Sequence, residues 1–287
     1  MRTFSLRTTR RLVSLVVTAS TLLAPAVPPA PARAAEAPGS PRPGRVRIAY
    51  LEPKNAAHRP LYEELRNMGM LEKFAEVIGT VRLPHPLAIK FQSCDGESNA
   101  WYDDETREVT FCYELVADVE RGAPGATAYG IPREDAVMGP VAFFLMHECA
   151  HAMFALLKVP LLGREEDAAD HVAAYVMLRA GKELSRRVLG ASAYMFRHDA
   201  STRAPDESDF ADVHGLDVQR LYNVLCMAYG FDPEFYAGLV GKGYLPEERA
   251  KECRSEFEQV GFAMKRLISP SLDPAELKRV HAARKKR

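Results

Sequence analysis

Several features that would place the chain in a familiar class are scarce or missing. Its 287 residues carry 38 basic and 38 acidic side chains, so there is no basic excess of the kind that nucleic-acid-binding proteins use. We find no internal repeat, which argues against a solenoid or a propeller. Strand patterns become rare after Tyr113, which argues against an all-β fold as well.

The first 34 residues have the composition of an export signal rather than of a folded domain. A basic segment precedes an apolar stretch at residues 12–27, and Ala32-Arg33-Ala34 matches an A-x-A cleavage site. Removing this segment takes away five arginines and leaves 33 basic against 38 acidic residues, a net charge of −5. The sequence therefore predicts a protein that is secreted or held in the periplasm or cell envelope, with no nucleic-acid partner and no transmembrane anchor.

Composition also divides the remaining chain. Residues 35–45 are rich in proline, alanine and glycine, as in a linker, and we expect one folded domain over residues 46–270. The charged stretch 199–209 is typical of a solvated loop, with a mobile rim of a cleft as the alternative. The basic tail 271–287 is interpreted as a solvated helix end, with attachment to an anionic envelope surface as the alternative. Nothing in the pattern indicates an oligomeric state.

The spacing of apolar residues predicts an α+β fold, in which a small N-terminal sheet packs on a mainly helical body. Strands are expected at residues 45–51 and 87–91, followed by a hairpin over 99–112 with a polar turn. Helical periodicity is found at 60–78, 141–157, 165–178, 183–196, 216–229, 233–239 and 246–267. The second of these helices is expected to begin just after Gly139-Pro140.

This helix at residues 141–157 is the most informative stretch, because apolar residues occupy nearly every face of it. A helix buried on all sides should avoid ionisable groups, yet His147, Glu148 and His151 lie within five residues of one another. A metal ion would give all three side chains a common partner. The alternative is a pair of core histidines beside a buried glutamate, which leaves the glutamate unexplained.

The spacing of these residues suits zinc. His147 and His151 are four apart, so their side chains share one helix face and two imidazole nitrogens can converge on one ion. Glu148 lies one residue round, where it can act as general base on a zinc-bound water without being a ligand. The metzincin pattern is excluded, because Phe154 and Leu157 occupy the positions of its glycine and third histidine.

A catalytic zinc site needs a third protein ligand and an open position for water. Glu166 is our candidate, because the predicted helix at 165–178 can return against the motif helix. Asp170 shares the face of Glu166 and is expected to accept a hydrogen bond from a ligand histidine. Glu165, Asp170 and His171 remain alternatives for the third ligand.

Five cysteines in an exported chain suggest disulfide pairing. Cys94 and Cys112 bracket the predicted hairpin, and Cys226 and Cys253 bracket a helix-turn-helix segment. We therefore predict one disulfide bond within each pair. Cys149 faces away from the metal on its helix and is expected to be a free, buried thiol.

The pattern His147-Glu-x-x-His151 followed by Glu166-x-x-x-Asp170 resembles the gluzincin arrangement of thermolysin-type and Ste24-type peptidases. The longer run that ends at Asp170 is closer to a bacterial family known as a domain of unknown function and described as metallopeptidase-like. That similarity extends over about residues 47–268. It implies a zincin-like fold and zinc as cofactor. Ste24-type enzymes are embedded in membranes, so their substrates do not carry over.

The resemblance also implies a role for a residue outside the motif. The related family places a histidine before a later helix, and His214 occupies that position here. We expect His214 to polarise the substrate carbonyl, with Tyr222, Tyr194 and Tyr102 as alternatives. A histidine in this position can equally serve as a helix cap or loop residue.

Together these residues predict a secreted zinc metallopeptidase acting on a peptide or protein substrate. The hairpin strand that ends at Phe111 is expected to offer its edge to an extended substrate backbone. One alternative is a zinc-stabilised binding or inhibitory protein without turnover. Another is a zinc amidase that acts on cell-envelope or small-molecule amides.

Overall fold

The computed structural model describes residues 46–284, and these form an α+β fold as predicted. The predicted export signal (1–34) and linker (35–45) lie outside the described residues, as do the last three residues of the predicted tail. Most of the described chain is helical, and the strands are confined to its N-terminal part.

Four short strands form one mixed sheet in the order β1-β2-β4-β3. They are β1 (Val46–Tyr50), β2 (Leu87–Gln92), β3 (Ala100–Asp103) and β4 (Glu108–Cys112). β2 is parallel to both β1 and β4, whereas β3 and β4 form the predicted antiparallel hairpin. Strand alternation buries Leu87, Ile89 and Phe91 in the core and leaves the residues between them half-buried.

The sheet order corrects one expectation. The strand that ends next to Phe111 is β4, and it pairs with β2 on one side and β3 on the other, so it has no free edge. The available edge on this side belongs to β3 (Ala100–Asp103), which pairs only with β4 among the described residues. β3 also packs against the helix that carries the histidine motif.

Eleven α-helices account for most of the described chain. They are α1 (Arg59–Asn67), α2 (Met70–Ile78), α3 (Tyr113–Gly122), α4 (Arg133–Leu157), α5 (Glu165–Arg179), α6 (Lys182–Thr202), α7 (Glu207–Ala211), α8 (Asp217–Phe231), α9 (Gly238–Gly241), α10 (Glu247–Ala263) and α11 (Pro274–Arg284). The helical body is built from α4, α5, α6, α8 and α10, which pack on one another. The stretch predicted as a loop at 199–209 is partly helical, because α6 continues into it and α7 begins within it.

Helix α4 lies at the centre of this body. It packs against α3, α5 and α6 on its helical sides and against β3 and β4 of the sheet. By length and composition alone it could cross a membrane, but most of its apolar stretch is buried by the rest of the fold. Burial on all sides explains why its apolar residues show no single stripe.

Two helix boundaries differ from the predictions, and a glycine explains each difference. α4 begins at Arg133 and contains Pro140, and a Cβ added at Gly139 would lie 2.7 Å from the Cβ of Ala191 on α6. Gly139 therefore allows two helices to approach closely and does not mark a helix start. The single helix expected over 60–78 is split into α1 and α2 at Gly69, whose φ of 61° is left-handed.

Both predicted cysteine pairs are at disulfide distance. The sulfur atoms of Cys94 and Cys112 are 1.96 Å apart, and those of Cys226 and Cys253 are 2.00 Å apart. Cys149 is fully buried and free, as expected. Burial raises the pKa of its thiol, so it is expected to remain an unreactive SH group.

Replacing both cysteines of either pair by alanine is expected to lower the free energy of unfolding by about 3 kcal/mol. The cross-links close loops with sequence separations of 18 and 27, and opening them gives the unfolded chain more freedom. Urea denaturation of the oxidised proteins measures this effect. Cys149→Ala keeps both cross-links and serves as the control, with an expected loss of roughly 1 kcal/mol. An equal loss in all three variants would show that the cross-links do not stabilise the fold.

Candidate metal centre

The candidate metal centre lies where α5 returns against α4. α4 ends at Leu157, and Lys158 caps it with a left-handed φ of 52°. Gly163 turns the chain again with a φ of 103°. Ala169 and Ala173 are completely buried, and their small side chains allow the two helices to pack closely. This connection places the first turn of α5 beside the middle of α4.

Three donor atoms from these two helices converge on one point. The Nε2 atoms of His147 and His151 are 3.1 Å apart. The Oε2 atom of Glu166 lies 2.9 Å from the first and 3.2 Å from the second. These three residues form a cluster able to hold a metal ion.

The spacing of the donor atoms fits a small divalent ion. Tetrahedral zinc binds nitrogen and oxygen ligands at about 2.0–2.2 Å, which places neighbouring ligand atoms about 3.3 Å apart. The three observed distances are within a few tenths of an ångström of that value. Two imidazoles and one carboxylate are also the donor types that zinc takes in catalytic sites.

Carboxylates outside the donor cluster orient both imidazoles. Asp170 Oδ1 lies 2.8 Å from Nδ1 of His147, and Glu165 Oε1 lies 2.8 Å from Nδ1 of His151. When each Nδ1 donates to a carboxylate, each Nε2 keeps its lone pair for a metal. The two carboxylates therefore favour, in both histidines, the tautomer that can bind a metal ion through Nε2.

These contacts also separate the alternatives for the third ligand. Glu165 and Asp170 point to the outer nitrogens of the two imidazoles, so only Glu166 reaches the shared point. His171 forms no hydrogen bond or ion pair with a described residue of the cluster. Glu166 thus lies at the shared point, and Asp170 lies at the opposite side of the His147 imidazole. Glu165 was expected only as an alternative third ligand, and its contact with Nδ1 of His151 was not predicted.

The carboxyl groups of Glu166 and Asp170 both have a lowered pKa. Burial alone would raise the pKa of Glu166, but the imidazoles of His147, His151 and His214 beside its carboxylate hold it well below its usual range. Burial also acts to raise the pKa of Asp170, and the guanidinium of a nearby arginine outweighs it. Both carboxylates are therefore suited to remain charged beside a cation.

Glu148 behaves differently. The residue is only 9% exposed, and its carboxylate forms no hydrogen bond or ion pair with a described residue. Burial raises its pKa, although the nearby imidazoles of His147 and His151 act in the opposite direction. Glu148 is therefore buried as a residue while its carboxylate oxygens keep some access to solvent, as a group that handles a water molecule requires. Carboxyl groups with a pKa raised in this way are concentrated at functional sites.

His214 is next to the cluster and is more exposed than its other members. Its Nε2 atom lies 3.0 Å from Oε2 of Glu166, and its Nδ1 atom lies 3.0 Å from Oδ1 of Asp212. Arg164 donates to its backbone carbonyl across 3.2 Å, which ties the segment before α8 to the start of α5. The side chain is 43% exposed, so it faces the open side of the site.

The three tyrosines considered as alternatives to His214 have other roles or locations. The Tyr194 hydroxyl donates to the Gly122 carbonyl, and the Tyr102 hydroxyl contacts the Asp104 carboxylate. Tyr222 lines a separate surface depression between α5, α8 and α10.

A cavity of about 640 Å³ adjoins this open side. His214 and Arg220 lie in its wall, whereas the three donor residues do not. Two half-buried aspartates, Asp199 and Asp217, face it, and burial is the main cause that raises the pKa of each. The cavity therefore lies beside His214 and not over the three donor atoms.

The sequence patterns missed one buried member of this region. Arg220 on α8 binds both carboxylate oxygens of Asp170, through Nε at 2.8 Å and Nη2 at 2.9 Å. The two residues are 50 positions apart in sequence, so no local spacing indicates the contact. The one available signal was an arginine at an inward position of a helix that follows His214.

Comparison with known proteins assigns the chain to a family. No curated protein and no solved structure matched it. A family model described as "putative metallopeptidase" matches residues 50–268, which include α4, α5 and the segment with His214. This match covers most of the chain and all members of the candidate metal centre. The protein therefore belongs to this metallopeptidase family.

Proposed function

We propose that the protein is an exported, zinc-dependent metallopeptidase. The observation that carries this proposal is the convergence of His147, His151 and Glu166 within 3.2 Å of one another, beside the unpartnered carboxyl group of Glu148. The family membership supports a metal-dependent peptidase, and the donor set favours zinc. Two cysteine pairs at disulfide distance support an oxidising location outside the cytoplasm.

The chain would hold zinc through Nε2 of His147, Nε2 of His151 and the carboxylate of Glu166. When bound, zinc acts as a Lewis acid that polarises a carbonyl oxygen and lowers the pKa of water. Asp170 and Glu165 would keep the two imidazoles in the orientation that presents Nε2.

Glu148 would move the proton. Its carboxylate would accept a proton from the attacking water and then donate it to the nitrogen of the leaving amine. Burial suits it to both steps, because the raised pKa brings it nearer to the working pH.

His214 would stabilise the negative charge that develops on the substrate oxygen. His214→Gln is expected to lower kcat by about 10²- to 10³-fold, the usual cost of removing one such donor. Zinc affinity should fall by no more than about 10-fold, because all three ligands remain and the glutamine amide can still donate to Glu166. Steady-state kinetics and zinc titration measure the two effects.

His85→Gln is the control for this substitution, since His85 is exposed on the loop before β2. It is expected to match the wild type in both measurements. If His214→Gln retained full kcat, the carbonyl-polarising role would have to be given to another group.

The substrate backbone would bind along β3. This strand has the free edge of the sheet on the side of α4, and an extended peptide can add to such an edge through main-chain hydrogen bonds. A peptide bound along β3 would run past α4, the helix that carries His147 and His151.

Two other functions remain as alternatives. A zinc-stabilised binding or inhibitory protein would have no use for the buried, unpartnered Glu148. A zinc amidase would share the site and differ only in the bond that is cleaved. Incubation of the purified protein with a peptide library, with and without a zinc chelator, separates these functions. We expect chelator-sensitive cleavage of peptides. A stoichiometric zinc protein that cleaves no peptide would support one of the alternatives.

A further inference from the structure

Arg220 forms a two-pronged contact behind the candidate metal centre. Its Nε atom donates to Oδ2 of Asp170 across 2.8 Å, and its Nη2 atom donates to Oδ1 across 2.9 Å. Both side chains are nearly buried, with 12% of Arg220 and 6% of Asp170 exposed. Because both carboxylate oxygens are engaged, the plane of the Asp170 carboxylate is fixed relative to α8.

The surroundings of Arg220 hold it in this position. Its guanidinium carbon lies 4.5 Å from the ring centre of Phe196 and 5.8 Å from that of Phe144. The arginine therefore bridges three helices: Phe144 is on α4, Phe196 on α6 and Arg220 itself on α8. This packing makes the fork of donors rigid before any metal binds.

A purely stabilising role does not explain this pair well. Removing two charges from water is costly, and buried ion pairs are often no better for stability than apolar residues of similar size. The pair has a more specific use here, because Oδ1 of Asp170 also accepts from Nδ1 of His147 across 2.8 Å. Arg220 and His147 thus meet on one carboxylate, and the position of the first limits the position of the second.

We propose that Arg220 is a positioning residue for the metal centre, which aligns the imidazole of His147 by clamping the carboxylate of Asp170. The contacts run from the guanidinium to the carboxylate and from the carboxylate to the ring nitrogen opposite the donor atom Nε2. This inference rests on the proposed function in one respect, namely that His147 binds zinc.

Zinc affinity, measured by competition with a chromogenic chelator, tests the role of Arg220. Arg220→Met keeps much of the apolar contact with the two phenylalanines but removes the donors, and it should weaken zinc binding by about 10-fold or more. Arg220→Lys keeps the charge but cannot span both oxygens, so its affinity should lie between those of the wild type and Arg220→Met.

Arg187→Met is the matched control. Arg187 on α6 donates to Asp135 on α4 across 2.7 Å, so this change also removes an arginine–aspartate pair between helices of the same body. Its zinc affinity should equal that of the wild type. Urea denaturation of the metal-free proteins gives the stability effect of each substitution separately.

A double substitution tests whether Arg220 acts through Asp170. Asp170→Asn alone should weaken zinc binding, and adding Arg220→Met should then cause less than a twofold further loss. If Arg220→Met and Arg220→Lys bound zinc as tightly as the wild type while being less stable, the role would be structural and the proposal would be overturned. Losses that simply multiply in the double variant would overturn it too.

The outcomes also distinguish this inference from the proposed function. A wild-type protein that binds zinc but cleaves no peptide would remove the peptidase assignment and leave the effect of Arg220 on affinity intact. A wild-type peptidase with unchanged affinity in both Arg220 variants would remove only the positioning role. A wild-type protein that binds no zinc would overturn both. If Arg220→Met does not fold, Arg220→Lys decides alone.

Discussion

Glu148→Gln is expected to lower kcat/KM for a peptide substrate by about 10²- to 10⁴-fold while the purified protein keeps its zinc. The amide has nearly the same shape as the carboxyl group, so the donor cluster of His147, His151 and Glu166 should not be disturbed. It cannot accept a proton from water, and this step is the one assigned to Glu148. Because the carboxylate makes no hydrogen bond with a described residue, the substitution breaks no protein contact of that kind.

Glu134→Gln is the matched control for this prediction. Glu134 lies in the first turn of the same helix and is exposed, and it has no contact with the candidate metal centre. We expect this variant to match the wild type in kcat/KM and in zinc content. A Glu148→Gln variant with wild-type activity would falsify the assignment of Glu148 as general base.

Glu166→Ala is expected to weaken zinc binding by at least about 100-fold, beyond the 10- to 100-fold range for residues that only orient a ligand. Glu166 is the sole carboxylate of the three-residue cluster, and its Oε2 atom lies within 3.2 Å of both imidazole nitrogens. Removing it leaves two protein donors, fewer than a catalytic zinc site uses. Zinc content after dialysis and chelator competition measure this loss.

Glu165→Ala tests whether Glu165 is a zinc ligand or a carboxylate that only orients one. Its Oε1 atom contacts only the outer nitrogen Nδ1 of His151, across 2.8 Å. The expected loss of zinc affinity is about 10-fold, the lower end of the range for an orienting partner. If Glu165→Ala lost zinc and Glu166→Ala kept it, the roles of these two neighbours would be exchanged.

The central part of the candidate site could be predicted because it depends on local spacing. His147 and His151 are one helical turn apart, so a helix brings their donor atoms together whatever the rest of the fold does. Glu166 and Asp170 have the same spacing on α5, and both reach His147. The α+β class followed from the change of periodicity near Tyr113.

Contacts set by tertiary packing could not be predicted. Arg220 reaches Asp170 only because α8 packs against α5, and no sequence spacing indicates that approach. The pair Gly139-Pro140 is typical of a helix start, yet it lies within α4. Gly139 is there because only a residue without a Cβ fits opposite Ala191 of α6. The free sheet edge depends on strand order, which placed β4 between β2 and β3. In each case a neighbour distant in sequence decides the outcome.

Anomalous X-ray scattering at the zinc absorption edge, from crystals of the zinc-loaded protein, tests the central claim most directly. The account predicts one fully occupied peak bonded to the imidazoles of His147 and His151 and to the carboxylate of Glu166. A structure in which these three groups point away from the peak, or a purified protein without stoichiometric metal, would contradict it.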